Sequence, residues 1–170
     1  MNKLVKKLIL RPSLNKQSGV YSIEFAIVGG LFFVLLFAVL EVGRLFFVWN
    51  VLTEASRRGA RLATVCNFNQ IDMRADSEMI NAALFNNVAL VPNLKPENLK
   101  IEYLQFNGSL ATDFVSIDLV KAEIVNYQHQ FMVPGLFLTL NSPSFATILP
   151  VESLGVTRWK YTQCLPSPTV

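Results

Sequence analysis

The feature that most constrains this chain is an uncharged apolar block near its amino terminus. Residues 25–40 read FAIVGGLFFVLLFAVL and contain no charged side chain. Sixteen helical residues rise about 24 Å, whereas a bilayer core of roughly 30 Å needs about 20 apolar residues. Residues 20–23 or 42–49 can supply the missing length. Because the block is also too long for a buried helix in so small a domain, the sequence predicts a membrane-spanning helix.

The net charge of +3 comes from the segment that precedes the block. Residues 1–19 hold five basic side chains and no acidic one: Lys3, Lys6, Lys7, Arg11 and Lys16. The remaining chain keeps ten of the fifteen Lys and Arg residues against twelve acids. A basic cluster before a span stays in the cytoplasm, so we expect the part after the span to be periplasmic. No basic face suited to nucleic acid is evident beyond Arg57, Arg58 and Arg61.

The apolar block is expected to remain attached to the mature protein as an anchor. A secretory signal is cut after its apolar stretch, beside small residues, whereas the residues that follow this block are bulky and then helical in pattern. After the block, apolar and small residues recur at spacings of three and four and so mark one face of a helix. This pattern predicts that the helix continues to about residue 65. Its small residues Ala55, Gly59 and Ala63 allow close packing, either by the protein's own domain, which we favour, or by another subunit.

The rest of the chain predicts a small α+β domain. We expect a second helix over residues 75–91, capped by Asp72 or Asp76, strands over 99–104 and 114–128, and a turn at Asn107-Gly108. Residues 132–150 are predicted to be a loop with an apolar patch, and residues 156–164 a last strand.

The predicted fold class is α+β. A long amino-terminal transmembrane helix continues into a small periplasmic domain with one further helix and a short antiparallel sheet. The predicted organisation is a leader over 1–19, the transmembrane and extended helix over 20–65, and the periplasmic domain over 66–170.

Both cysteines, Cys66 and Cys164, follow the apolar block. In an oxidising periplasm they are candidates for a disulfide, which would close a loop of about 100 residues. The alternative is two unrelated buried thiols, and we favour the bridge. No Cys–X–X–Cys pair or histidine cluster suggests a metal site.

Catalytic patterns are not evident in the sequence. His129 is the single histidine and lies in a predicted strand, where a packed or exposed ring is commoner than a catalytic base. No nucleophile motif and no Gly-rich phosphate loop after a strand is found. We therefore expect a protein that is not an enzyme and needs no cofactor.

A short motif connects the basic leader to the apolar block. Residues 19–25 read GVYSIEF, so a glycine ends the leader, a carboxylate follows five residues later and an aromatic comes next. This resembles the class III signal of Flp/Tad-type pilins and their pseudopilins, in particular the TadE-like branch. The resemblance implies cleavage by a prepilin peptidase between Gly19 and Val20. It also implies an assembly role for Glu24 and Phe25; Flp pilins usually carry Tyr where this chain has Phe25.

Two further elements support the same resemblance, which covers residues 19–64. TadE-like proteins tend to carry an acid, Gly and Arg late in the span, matched here by Glu41, Gly43 and Arg44, and then a Gly-Ala-Arg element, matched by residues 59–61. The resemblance implies a minor pilin or pseudopilin that helps initiate, cap or regulate a Tad-type pilus. Its implied partners are the prepilin peptidase, other pilin or pseudopilin subunits, inner-membrane Tad platform proteins and the lipid bilayer.

The role of Glu24 has two interpretations. An unpaired carboxylate in hydrocarbon is costly, and the family suggests the amino terminus of a neighbouring subunit as its partner. Alternatively, the side chain reaches the lipid headgroups. The whole chain likewise has alternatives: an uncut single-span protein with a periplasmic binding domain, or a subunit of a type II secretion pseudopilus.

Overall fold

The computed structural model describes residues 18–67, 75, 77–88, 90–132 and 138–161. The chain divides into two compact units, Met1–Val39 and Leu40–Val170. A 48-residue helix, α1 (Ser18–Val65), contributes to both. Within the described ranges α1 is the one helix that is long and apolar enough to cross a membrane. In the first unit every residue from 20 to 39 except the half-buried Gly29 is exposed.

The second unit is built on the remainder of α1, which buries one face. Its buried apolar side chains recur every three or four residues: Val48, Val51, Leu52, Ala55 and Ala63. A Cβ atom added at Gly59 would lie 3.3 Å from both Ala122 Cβ and Leu99 Cδ2. The small residues of this face therefore let α1 approach the protein's own sheet, and the favoured interpretation of the Ala55-Gly59-Ala63 stripe is confirmed.

The main sheet has three antiparallel strands, β1 (Leu99–Leu104), β2 (Leu119–Ile124) and β5 (Phe145–Pro150), in the order β1-β2-β5. Ala122 of the central strand pairs with Ile101 on one side and Thr147 on the other. Every second residue of β2, namely Val120, Ala122 and Ile124, is buried, as expected for a sheet with one face against a core. A second sheet pairs β3 (Gln128–Gln130) with β4 (Thr139–Asn141).

The second helix is shorter than predicted. Helix α2 covers Ser77–Ala83 and is followed by a 3-10 turn at Phe85–Asn87. Phe85 and Asn86 have φ values of 61° and 53°, in the left-handed region that an α-helix cannot continue through. The predicted caps, Asp72 and Asp76, lie outside the described residues.

The strand predicted over residues 114–128 is wrong at both ends. Phe114–Ser116 forms a 3-10 turn, held by a hydrogen bond from the Ser116 hydroxyl to the Asp113 carbonyl at 2.8 Å. Strand β2 (Leu119–Ile124) then covers only the middle of the predicted strand. After β2, Asn126 adopts a φ of 56°, which turns the chain out of the main sheet before β3.

The loop predicted over residues 132–150 is also wrong in part, because it contains β4 and β5. Proline and serine suggested a loop, but β5 is an edge strand, where proline is tolerated. Residues 133–137 lie outside the described ranges. The last predicted strand is reduced to one bridge between Val156 and Tyr161, and residues 162–164 lie outside them.

The predicted fold class is confirmed as α+β, with a long amino-terminal apolar helix, one further α-helix and small antiparallel sheets.

Candidate assembly site

The predicted cleavage residues lie in the first turn of α1. Gly19 and Val20 follow directly on Ser18, where the helix begins, and Val20 is exposed. Nothing lies within 4 Å of a Cβ added at Gly19. No acidic residue lies in this turn.

Glu24 and Phe25 are both on the exposed surface of α1, and Phe25 is 80% exposed. Residues three and four positions from Glu24 on a helix are its lateral neighbours, and here they are apolar: Val20, Tyr21, Ile27 and Val28. Among the described residues Glu24 forms no ion pair. The helix thus presents one carboxylate on an apolar surface, which is the arrangement that a cationic partner from another molecule would stabilise.

Cys66 is fully buried directly after the end of α1. The apolar cluster around it includes Ala63, Met79 and Tyr103. Cys164 lies outside the described residues, so the Cys66–Cys164 disulfide stays a prediction.

The structure brings together three polar side chains that the sequence did not connect. Glu41, the first buried side chain of α1, accepts a hydrogen bond at Oε2 from Arg44 Nε at 3.2 Å. Arg44 also donates from Nη2 to Glu41 Oε1 and to the backbone carbonyl of Gln130. His129 Nε2 lies 3.3 Å from Glu41 Oε1. We call Glu41, Arg44 and His129 the helix–hairpin cluster, because it joins α1 to β3 of the β3–β4 hairpin.

Burial explains why these groups are arranged in this way. Glu41 is 7% exposed and His129 1% exposed, and a buried charge is costly unless it is paired and hydrogen-bonded. The guanidinium supplies the opposite charge, and the imidazole donates to the carboxylate when Nε2 carries the proton. The ring of His129 meets Phe131 edge to face, with centroids 5.3 Å apart. The cluster can therefore fix the hairpin against the helix by charge and by packing.

A signal for part of this cluster was present in the sequence. Glu41 and Arg44 belong to the motif late in the apolar segment, whereas the sequence around His129 predicts only a ring in a strand. The separation of 88 positions between Glu41 and His129 concealed the contact, because nothing local predicts which strand returns to the helix. Within the described ranges no group of three His, Cys, Asp or Glu residues is placed to hold a metal ion.

The part of the chain that is similar to known proteins contains the cleavage motif and two members of the helix–hairpin cluster, Glu41 and Arg44. Residues 19–61 match the family model described as TadE-like protein. No curated protein and no solved structure is significantly similar to the chain. The matched segment begins at Gly19 and contains Glu24, Glu41, Arg44 and the Gly-Ala-Arg element. The resemblance inferred from these motifs is confirmed: over residues 19–61 the chain is similar to TadE-like proteins.

Proposed function

We propose that this chain is a minor pilin or pseudopilin that helps to initiate, cap or regulate assembly of a Tad-type pilus after cleavage by a prepilin peptidase. The observation that carries the proposal is the sequence Gly19-Val20…Glu24-Phe25 at the start of an exposed apolar helix, within the segment that matches TadE-like proteins. The function is structural: the chain acts through subunit contacts, without catalysis and without a cofactor.

Cleavage after Gly19 would change the electrostatics of the helix start. It removes the five basic residues of the leader and leaves a free α-amine on Val20. An amine and a carboxylate attract each other more strongly in an apolar environment than in water. Glu24 of one subunit would then pair with the new amino terminus of its neighbour. In an apolar environment such a pair loses much of its attraction when the two groups move apart. It would therefore set the axial stagger of adjacent subunits.

The proposed location is the bacterial inner membrane, with the leader in the cytoplasm and the domain that follows α1 in the periplasm. The basic leader supports this orientation. A periplasmic domain would also permit the Cys66–Cys164 disulfide. The proposed partners are the prepilin peptidase, other pilin or pseudopilin subunits and the Tad platform proteins of the inner membrane.

The test is the amino-terminal sequence of the protein extracted from membranes. A chain that begins at Val20 supports the proposal. A chain that begins at Met1 or Asn2 instead supports an uncut single-span membrane protein with a periplasmic binding domain.

A pair of glycine variants makes this test specific. Gly19→Leu places a bulky side chain at the scissile bond and should abolish processing. Gly30→Leu is the matched control, because nothing lies within 4 Å of a Cβ at Gly30 either, and it should be processed normally. Normal maturation of Gly19→Leu would overturn the assigned cleavage site.

A further inference from the structure

The outward face of α1 stays apolar after the folded part of the second unit has begun. Val42, Phe46 and Phe47 are 48%, 56% and 54% exposed, although Glu41 is already buried. The next outward residues, Asn50 and Glu54, are polar. The charge-free block of residues 25–40 is about four residues short of crossing a bilayer core, and we take this apolar face, rather than residues 20–23, as the extension. On the proposed membrane anchor, the edge of the hydrocarbon therefore falls close to residues 44–47 of α1.

The β3–β4 hairpin is attached to α1 on the membrane side of that edge. The helix–hairpin cluster provides contacts between them, from Arg44 to the Gln130 carbonyl and from His129 to Glu41. The main sheet meets α1 further along, where the Ser56 and Thr147 hydroxyl oxygens are 3.0 Å apart. The end of the hairpin is thus level with helix residues that we assign to the bilayer.

Apolar side chains are exposed at this end of the hairpin. Met132 is 67% exposed and Leu138 is 51% exposed. The described backbone beside them is paired, since the Phe131 N–H donates to the Leu138 carbonyl at 3.0 Å. A paired backbone is what a lipid environment requires, because hydrocarbon offers unpaired N–H and C=O groups no partner.

The geometry points to a lipid-contacting surface made by Met132 and Leu138, which flank the described ends of β3 and β4, together with the outward face of α1. Its members are Val42, Phe46, Phe47, Met132 and Leu138. The partner is the acyl-chain and headgroup boundary of the bilayer that holds α1. The helix–hairpin cluster fits a position at the edge of the hydrocarbon. A charge there has to be paired, and Glu41 is buried and paired with Arg44.

This inference rests on the membrane anchor of the proposed function, and the test separates the two. A photoreactive phenylalanine analogue replaces Met132 or Leu138 in the full chain, reconstituted into vesicles of phosphatidylethanolamine and phosphatidylglycerol. Phe33, exposed on the apolar helix, is the control for the anchor. Phe106 is the matched control in the folded domain: it is 84% exposed and follows Tyr103, which packs with Ala63 and Cys66 at the opposite end of the domain.

We expect lipid adducts at Met132 and Leu138 at least about tenfold above those at Phe106, the ratio that burial of one such side chain supports. Suppose that Phe33 forms lipid adducts while Met132 and Leu138 form no more of them than Phe106. That result would overturn the lipid-contacting surface and leave the anchor intact. Protein–protein adducts in place of lipid adducts at Met132 and Leu138 would assign the surface to a second copy of the chain and also overturn the inference. Absence of lipid adducts at Phe33 would remove the anchor and, with it, this surface.

Discussion

At the scale of single residues, Glu24 and Glu41 place the same side chain in opposite environments on one helix. Glu41 is enclosed and has Arg44 and His129 as partners within the chain. Glu24 is exposed among apolar neighbours, and within the described residues it has no ion-pair partner. A carboxylate satisfied internally stabilises the fold, whereas one left unsatisfied on an apolar surface favours association with a cation elsewhere.

Glu24→Gln tests this assignment because it keeps the shape of the side chain and removes its charge. The variant should insert into the membrane and be cut after Gly19, but its incorporation into pili should fall at least about tenfold, as expected for loss of a hydrogen bond to a charged group. Immunoblots of membrane and sheared-pilus fractions measure both steps. Glu152→Gln, an exposed carboxylate of the folded domain, is the control. Unimpaired incorporation of Glu24→Gln would rule out the pairing role.

Gly59 is the residue at which the helix and the sheet come closest. A Cβ there would lie 3.3 Å from Ala122 Cβ, and the backbone of β2 allows little withdrawal. Gly59→Val should therefore destabilise the fold by about 1–3 kcal/mol through overpacking. Gly43→Val, where nothing lies within 4 Å of the added atom, should have a much smaller effect. Urea unfolding of the full chain in micelles, followed by circular dichroism, measures both, and equal effects would contradict the close contact.

At the scale of elements, the attachment of the β3–β4 hairpin depends on a few polar contacts and has a measurable consequence. Glu41→Gln removes the negative charge of the helix–hairpin cluster, and His129→Phe removes its imidazole. Each substitution should lower the free energy needed to open the hairpin locally by about 1–3 kcal/mol. Amide hydrogen exchange over residues 128–130 and 139–141 should accelerate accordingly. Glu54→Gln removes an exposed pair with Arg58 on the same helix and should leave that exchange unchanged. Wild-type exchange rates in both cluster variants would show that packing alone holds the hairpin.

The outer face of the main sheet carries a second set of charges, which alternate in sign across β1 and β2. Lys121 Nζ lies 2.5 Å from a Glu123 carboxylate oxygen and 3.6 Å from one of Glu102, and Lys100 pairs with Glu102 at 2.6 Å. The hydrogen bond from Lys100 holds the pKa of Glu102 below its usual 4.5, and that from Lys121 does the same for Glu123. The Glu123 carboxylate in turn raises the pKa of Lys121 above 10.5.

These shifts predict how the stability of the sheet depends on pH. The lowered carboxyl pKa values contribute stability that is present above about pH 4.5 and is lost as pH falls through the folded-state values. Lys121→Met removes part of that contribution, so it should cost about 0.2–1 kcal/mol per pair at pH 7. The difference between the two proteins should narrow in acid. Urea unfolding between pH 7 and pH 3 measures this difference in the free energy of unfolding. Lys95→Met, which removes an exposed pair with Glu97, is the control. A constant difference across that range would contradict the shifts.

The elements that local pattern could predict differ from those it could not for a physical reason. Helix α1 has a continuous apolar sequence, and β1 matches the predicted strand in full. Strand β5 interrupts the apolar–polar alternation: Thr147 faces inward to Ser56 between Phe145 and Leu149, while Ile148 is 53% exposed. A polar residue satisfied by a distant hydroxyl removes the period-two signal on which strand prediction depends. The helix–hairpin cluster was hidden in the same way, because its members meet only after folding.

At the scale of the whole molecule, the domain closes at the end of α1. There Thr64 accepts a hydrogen bond at its carbonyl from the Leu154 N–H at 2.9 Å, and Cys66 is buried. A Cβ at Gly155, whose φ is 78°, would lie 2.3 Å from the Asn67 nitrogen. The carboxyl-terminal part of the described chain therefore packs directly against the segment that contains Cys66, which supports the proposed disulfide with Cys164.

A disulfide between Cys66 and Cys164 predicts a specific pattern among alanine variants. It would close a loop of about 100 residues, for which the chain-entropy model gives at most about 4.7 kcal/mol. Cys66→Ala, Cys164→Ala and the double variant should then lose similar stability, because each removes the same covalent bond, and reduction of the parent should approach that loss. Thermal unfolding with and without dithiothreitol measures it. Free thiols on both cysteines of the denatured, unreduced parent, or additive losses in the double variant, would instead indicate two independent side chains.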